Sequence, residues 1–213
     1  MTIQKGALVL SRFLQVASLP LLLNWSNVQW HDWPLLALLG LTLALSALGS
    51  TARVGAWTVA ALALAVIGSS SQWALLPLAL AQIGLGVLLT TQKMSPHLAI
   101  SGWLIETTFL QILLSASLTQ GLTVMAPVVY TLLNALLLLA VWADRLPLWV
   151  LAGLVLVGLG TGYWLQQITL TFAAAVLVVL SVLNSRRIKL TALPFCWAAI
   201  LLNVMFVAIR LHG

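Results

Sequence analysis

The chain has 213 residues, of which 62% are apolar and 6% charged, and its mean hydropathy is +1.14. A soluble domain carries about 25% charged residues, so this chain has too little polar side chain to clothe a water-soluble globule. Nine Lys and Arg against three acids give a net charge of +6. No basic stripe or helix is long enough to follow a phosphate backbone, which excludes nucleic acid as a partner. The cations read instead as loop signals of a chain whose surroundings are the lipid bilayer.

Continuously apolar runs of roughly 15–22 residues, against the ~20 a helix needs to cross the hydrocarbon core, exclude an alternating β-barrel pattern. The expected fold is all-α: a polytopic transmembrane bundle of about nine helices, or eight if one short segment does not cross. The first segment runs from Gly6 to Asn24, with Pro20 in its last third. Its basic start resembles a signal sequence, but Arg12 interrupts the apolar core and no small-x-small cleavage site follows, so it is expected to remain as the first membrane helix. A polar loop, Trp25 to Trp33, carries three tryptophans and the pair His31-Asp32. Segments two, three and four are Pro34–Gly49, Val54–Gly68 and Trp73–Leu89, and the third is short.

Segment five, Leu98 to Leu118, carries Glu106 near its middle, one of only three acids. A carboxylate at mid-bilayer costs roughly 2.5–3.5 kcal/mol on insertion scales, so it requires a partner, a proton or a water-filled cavity. Its helical face would carry Ala99, Gly102, Trp103, Phe109, Leu110, Leu113 and Ser117. Two readings stand: a carboxylate coupled to a proton or cation in a cavity, or a neutral buried carboxyl bonded to a neighbouring helix. Arg12 is the natural counter-ion; alternatively it reaches cytoplasmic headgroups. Gln82, Gln111, Tyr130, Asn134 and Asn203 either line a cavity or tie helices together. The candidate substrate or coupling-ion residues are therefore Glu106, Arg12, Trp103, Tyr130 and Asn134.

Segments six to nine are Leu122–Ala143, Pro147–Leu165, Thr169–Leu183 and Thr191–Ile209. Before the last lies the most basic patch; its Arg186, Arg187 and Lys189 either set topology or hold anionic lipid headgroups. With the N-terminus inside, eight of the nine Lys and Arg fall on the cytoplasmic side and only Arg210 falls outside. The expected location is a bacterial inner membrane, multi-pass, with the N-terminus cytoplasmic and the C-terminus outside. Trp25, Trp30, Trp33, Trp73 and Trp164 would mark the outer interface, and Trp57, Trp142, Trp149 and Trp197 the inner one, leaving Trp103 as the exception.

Pro34–Gly49 and Pro147–Gly162 are identical at seven of sixteen positions, at an offset of 113. The chain is read as one integral membrane domain in which 1–97 and 119–213 would form an inverted repeat about a linker helix, 98–118. Compositional matching of Leu- and Gly-rich helices is the alternative. Cys196 is the single cysteine, so neither an intrachain disulfide nor a multi-cysteine metal site can form, and no metal or cofactor is expected. No H-E-x-x-H or G-x-S-x-G motif occurs. A serine-protease reading of Ser101 is rejected because His31, His97 and His212 are expected in loops or at the terminus.

Residues 125–164 carry Pro127 in one helix, an acid-plus-Leu turn at Asp144-Arg145-Leu146, and a following helix with Gly153, Gly158 and Gly160. In this the stretch resembles the closing helix pair of the drug/metabolite transporter superfamily, and the resemblance implies a helical carrier. Small multidrug members of that superfamily use a glutamate in their first membrane helix. Glu106 does not occupy that position, so the role is not carried over.

The expected function is a small inner-membrane transporter or flippase-like carrier of a small molecule or lipid, not an enzyme, with Glu106 as the group that couples protons. The alternative is a non-catalytic membrane subunit packed with partner proteins or a second copy in a larger complex. A membrane enzyme acting on lipid comes third. Single cysteines introduced at Gln29 and Lys93 should react with an impermeant maleimide from opposite faces, Gln29 from outside. Labelling of both from one face would contradict the nine-helix topology.

Overall fold

The computed structural model describes residues 3–49, 53–121, 125–184 and 191–212. Among these there are nine α-helices and no strand: α1 (Ile3–Leu23), α2 (Trp33–Leu48), α3 (Val54–Gly68), α4 (Leu76–Thr91), α5 (Pro96–Thr119), α6 (Met125–Val141), α7 (Leu148–Trp164), α8 (Leu170–Leu183) and α9 (Ala192–His212). Each corresponds to one expected segment. The differences lie at the ends, where local chemistry decides. Trp73–Leu75 forms a separate 3-10 turn before α4, and Pro77 sits in the first turn of the helix proper, where its missing N–H costs nothing. Asp32 precedes α2 with Pro34 in its first turn. Segment six is helical over Met125–Val141, and residues 142–145 turn toward α7. The basic patch Arg186, Arg187 and Lys189 lies outside the described residues.

Capping is clearest around α5 and α8. The Ser95 hydroxyl accepts from the Leu98 N–H at 3.4 Å and Pro96 opens the helix. At the other end Gln120 adopts the left-handed conformation (φ 53°), and the Gly121 N–H closes on the Ala116 carbonyl at 3.1 Å. The α7–α8 turn repeats this device: Gln166 is left-handed (φ 57°), and the N–H groups of Gln167 and Ile168 both reach the Gly162 carbonyl. Thr169 then caps α8 by accepting from Phe172 N–H.

Among the described residues four helices are long and apolar enough to cross a membrane: α1, α5, α9, and α4 with its leading turn. The remaining five have 14 to 17 residues. At 1.5 Å per residue, 14 residues span only about 21 Å, against about 30 Å of hydrocarbon. Of the four long helices, α5 is the most enclosed, with 61% of its apolar window buried against 39%, 28% and 39% for the others. It packs on α1, α2, α4 and α6. Two apolar clusters flank it. One is built chiefly from α6, α8 and α9 with Ile100, Trp103 and Leu104 of α5; the other from α2, α3 and α4 with Leu110, Leu113 and Leu114 of α5. Helix α1 contributes Leu19 to the first and Val16 and Ala17 to the second, so α1 and α5 form the seam between the two. Phe109, expected on the inner face with Glu106, is 41% exposed, because α5 leaves one narrow strip uncovered, formed by Leu98, Ile105 and Phe109.

The most extensive helix contact joins α2 to α3. Gly68 makes the approach possible: a Cβ there would stand 2.6 Å from Leu38 Cδ2 and 3.2 Å from the Leu38 backbone nitrogen. The side chain could shift, but the backbone of α2 could not without separating the helices. Gly68→Ala should therefore lower the detergent-solubilised protein's thermal stability, by about 1–3 kcal/mol of overpacking. Gly84→Ala, on the exposed face of α4 with nothing within 4 Å of the new methyl, should be neutral or stabilising, since alanine is the better helix former. Equal effects of the two on unfolding temperature would contradict this packing account.

Candidate functional site

Among the described residues, nine of the fifteen buried polar side chains lie on α1 and α5. On α1, Gln15 is fully enclosed, and its backbone carbonyl accepts two side-chain hydrogen bonds, from Gln111 Nε2 of α5 at 3.1 Å and from Asn203 Nδ2 of α9 at 3.2 Å. One turn further on, Pro20 lies inside α1 and has no N–H to offer the Val16 carbonyl. The contact extends sideways. Asn134 Nδ2 of α6 donates to Gln111 Oε1 at 2.8 Å and to the Tyr130 carbonyl at 2.9 Å, and Asn203 also donates to Ser18 Oγ at 3.0 Å. Four helices are thereby tied together by amide side chains inside an otherwise apolar interior.

About one turn nearer the start of α1 and α5 lie the two charges. Glu106 is 7% exposed, and its Oε1 is sealed from solvent without a hydrogen-bond partner. Its neighbour on α4 is Gly86, where an added Cβ would sit 2.9 Å from that oxygen. The absence of a side chain at Gly86 leaves room for the carboxyl. Arg12 is half-buried, and its Nε is likewise buried and unpartnered. Its guanidinium lies over the Trp103 ring, 5.3 Å from the centroid, in cation–π geometry, and Nη1 faces Gly49 at the end of α2. The Arg12 and Glu106 charges are within electrostatic reach of one another but not within 4 Å, the distance of a closed ion pair. Cys196 of α9, fully buried, is within electrostatic reach of Arg12.

Trp103 fits this arrangement. Of the ten tryptophans it is the one that is buried, at 5% exposure; Trp142 is half-buried and the other eight are exposed. Further buried polar atoms without partners lie within one helical turn of Arg12, Glu106 or Gly86 along the chain: both side-chain polar atoms of Gln15 on α1, Gln82 Oε1 on α4 and Thr107 Oγ1 on α5. Gln82 and Gly86 are one turn apart and so share a face of α4. Buried polar groups are nearly always satisfied by protein, water or ligand, and a cluster of unsatisfied ones marks a place built for something polar.

The five candidate residues do not form one site. Arg12, Trp103 and Glu106 come together. Asn134 belongs to the amide network with Gln111, and it also lines a groove of about 190 Å³ between α5 and α6 with Thr108 and Thr131. Tyr130, fully buried, lines a different pocket of about 200 Å³ with Arg210. Sequence reasoning misses the Gln15 carbonyl, because a backbone acceptor leaves no mark in a sequence. It misses Gly49 and Gly86 for a similar reason, since only the fold shows what approaches them.

His97 is a correction to the expected loop placement. It stands in the first turn of α5 and bonds Asp144, in the turn after α6, at 3.1 Å, while its ring packs on Trp142 at 5.4 Å. The Trp142 indole N–H donates to Ser101 Oγ at 2.9 Å, so the serine is engaged by the indole, and no hydrogen bond joins it to the histidine. Among the described residues no group of three or more His, Cys, Asp and Glu is placed to hold a metal ion. Compared with protein-family models, with curated proteins and with solved structures, the chain matches none of them.

Proposed function

We propose that this chain is a small polytopic carrier of the bacterial inner membrane, moving a small polar molecule or a lipid, with Glu106 as the proton-coupling group and Arg12 as its electrostatic partner. The observation that carries the reading is the burial of Glu106 Oε1 and Arg12 Nε without hydrogen-bond partners, with further unpartnered polar atoms on α5 and on α1 and α4, which pack against it. Intramembrane ionisable groups are costly, and where they persist they commonly mark ion or substrate pathways. Four helices of membrane-crossing length and a strongly apolar exterior support the membrane assignment. The eight-to-one distribution of Lys and Arg favours a cytoplasmic N-terminus and an external C-terminus. The short helices α2, α3, α6, α7 and α8 would complete a nine-span bundle by sitting in locally thinned bilayer. An inverted repeat about α5 rests on the seven-of-sixteen match between Pro34–Gly49 and Pro147–Gly162.

Within this reading the chemistry is simple. A protonated Glu106 is neutral and lets the seam close on Arg12 and Trp103. An ionised Glu106 pairs with Arg12 or with a cationic group of the cargo. Exchange between these two states would link cargo movement to a proton. A second reading, a non-catalytic membrane subunit, is favoured by α7: Gly153 and Gly160, seven residues apart, are exposed with nothing within 4 Å of an added methyl, a surface on which another helix could pack closely.

Glu106→Gln separates coupling from packing, because the amide keeps the shape and hydrogen bonding but cannot ionise. In proteoliposomes, dithionite bleaching of fluorescent lipid and an internal pH dye with a panel of small polar solutes read the two cargo classes. The parent should show activity in one of these assays, and the Gln variant should fold at the parental unfolding temperature yet lose it. Full activity of the Gln variant would contradict the coupling role, and an inactive parent in both assays would favour the subunit reading.

A further inference from the structure

The groove of about 190 Å³ between α5 and α6 is walled by apolar side chains, with Thr108, Thr131 and Asn134 as its polar residues. It lies near the middle of both helices, at the depth where a membrane-spanning bundle meets hydrocarbon. Two polar groups here lack partners. The first is Asn134 Oδ1. The orientation of this amide is fixed from the interior. The Gln15 carbonyl can only accept, so Gln111 turns its Nε2 there and its Oε1 toward Asn134, which answers with Nδ2. Nδ2 also donates to the Tyr130 carbonyl. Asn134 is 5% exposed, yet its Oδ1 accepts no hydrogen bond among the described residues and is not enclosed as Glu106 Oε1 is. What remains of the side chain's surface opens on the groove.

The second group is the Thr131 hydroxyl. Thr58, Thr90 and Thr108 each bond the carbonyl four residues back in their helices; Thr131, exposed on α6, makes no such bond. One group is an acceptor without a donor, the other a donor without an acceptor. They are three residues apart and share a face of α6. Hydrocarbon offers neither of them a partner, so a lipid tail in the groove would leave both unsatisfied. A second copy, related by a two-fold axis along the membrane normal, satisfies both at once. Thr131 of each copy then donates to Asn134 Oδ1 of the other, because an isologous interface makes every such contact twice. Three residues correspond to a rise of about 4.5 Å, a step that side chains of parallel packed helices span. Ala135, exposed and one turn beyond Thr131, keeps the helices' approach free of bulk, and Ile105 and Phe109, also exposed, add an apolar rim from α5. We propose that the α5–α6 groove is a dimer interface in which two copies of this chain exchange Thr131–Asn134 hydrogen bonds. This surface is separate from the exposed glycines of α7, and its role is independent of whether Glu106 couples protons.

The test uses the full chain in phosphatidylcholine vesicles. Dimerisation is read by Förster transfer between donor- and acceptor-labelled copies as the protein-to-lipid ratio is varied. Thr131→Val keeps the shape and removes the hydroxyl, and no bond within the chain is lost. Its unfolding temperature should therefore stay parental while its apparent dissociation constant rises about 10-fold or more, two interhelical hydrogen bonds being lost per dimer. Thr131→Ser, which keeps the hydroxyl, should associate like the parent. Independently, oxidation in the membrane should join copies carrying Ala135→Cys but not copies carrying Val157→Cys, exposed in the middle of α7. Transfer no greater than that of randomly mixed copies at every density would overturn the proposal and leave the groove to lipid. Undiminished association of Thr131→Val, or equal cross-linking at both cysteines, would overturn it by placing the contact elsewhere. Association lost in Thr131→Ser as in Thr131→Val would overturn it by showing that the hydroxyl is not what the partner reads.

Discussion

A polar atom enclosed by apolar helices has only another helix to bond, and in this chain the Gln15 carbonyl of α1 and the Gln111 amide of α5 meet that need for each other. The Gln15 carbonyl takes hydrogen bonds from α5 and α9 at once, and Gln111 passes the connection on to α6 through Asn134. Interhelical hydrogen bonds of this kind contribute about 0.6–2 kcal/mol each in a membrane setting, less than the packing around them. Their larger effect is on register. A shift of α1 by one residue would leave the amides of Gln111 and Asn203 facing carbon. The apolar clusters on either side of the seam tolerate many arrangements; the amide network tolerates few.

Close approach is organised by the same economy of side chains. Gly86 leaves space for the Glu106 carboxyl and Gly68 for the Leu38 side chain. Gly102 lets Leu89 of α4 come against α5 one turn before Glu106. The Glu106 carboxyl thus occupies a position where α4 offers a glycine in place of a side chain. Trp103 offers the Arg12 guanidinium a π-face where no carboxylate reaches ion-pair distance. Further along, the amide network separates this region from the Tyr130–Arg210 pocket, so the bundle carries polar chemistry at two levels with a hydrogen-bonded layer between them.

Helix positions are legible in the sequence because continuous apolar runs broken by Pro, Gly and short polar turns leave little choice: α3, Val54–Gly68, has the bounds expected from composition alone. The interior placement of Glu106 and its neighbourhood with Arg12 and Trp103 are legible too, since a costly charge must find company and the candidates are few. Depth and rotation are not legible. Tyr130 and Asn134 look equivalent to Glu106 as isolated polar residues in apolar runs, yet they sit on α6 at levels set by how α6 slides on α5. Phe109 shares a helical face with Glu106 on a wheel, but which part of that face is covered depends on the neighbouring helices. His97 reads as a loop residue because Pro96 precedes it; Pro96 instead opens α5, and the histidine becomes part of the first turn.

Arg12 and Glu106 answer one another across the seam, and a double-mutant cycle measures this most directly. Unfolding free energies of the parent, Arg12→Leu, Glu106→Leu and the double variant would be compared in one detergent. Removing one charge leaves the other buried without compensation, so the double variant should be less destabilised than the sum of the singles, by an interaction energy of about 1 kcal/mol or more. Single effects that add to within ~0.3–0.5 kcal/mol would contradict the account, because they would show two charges that do not sense each other.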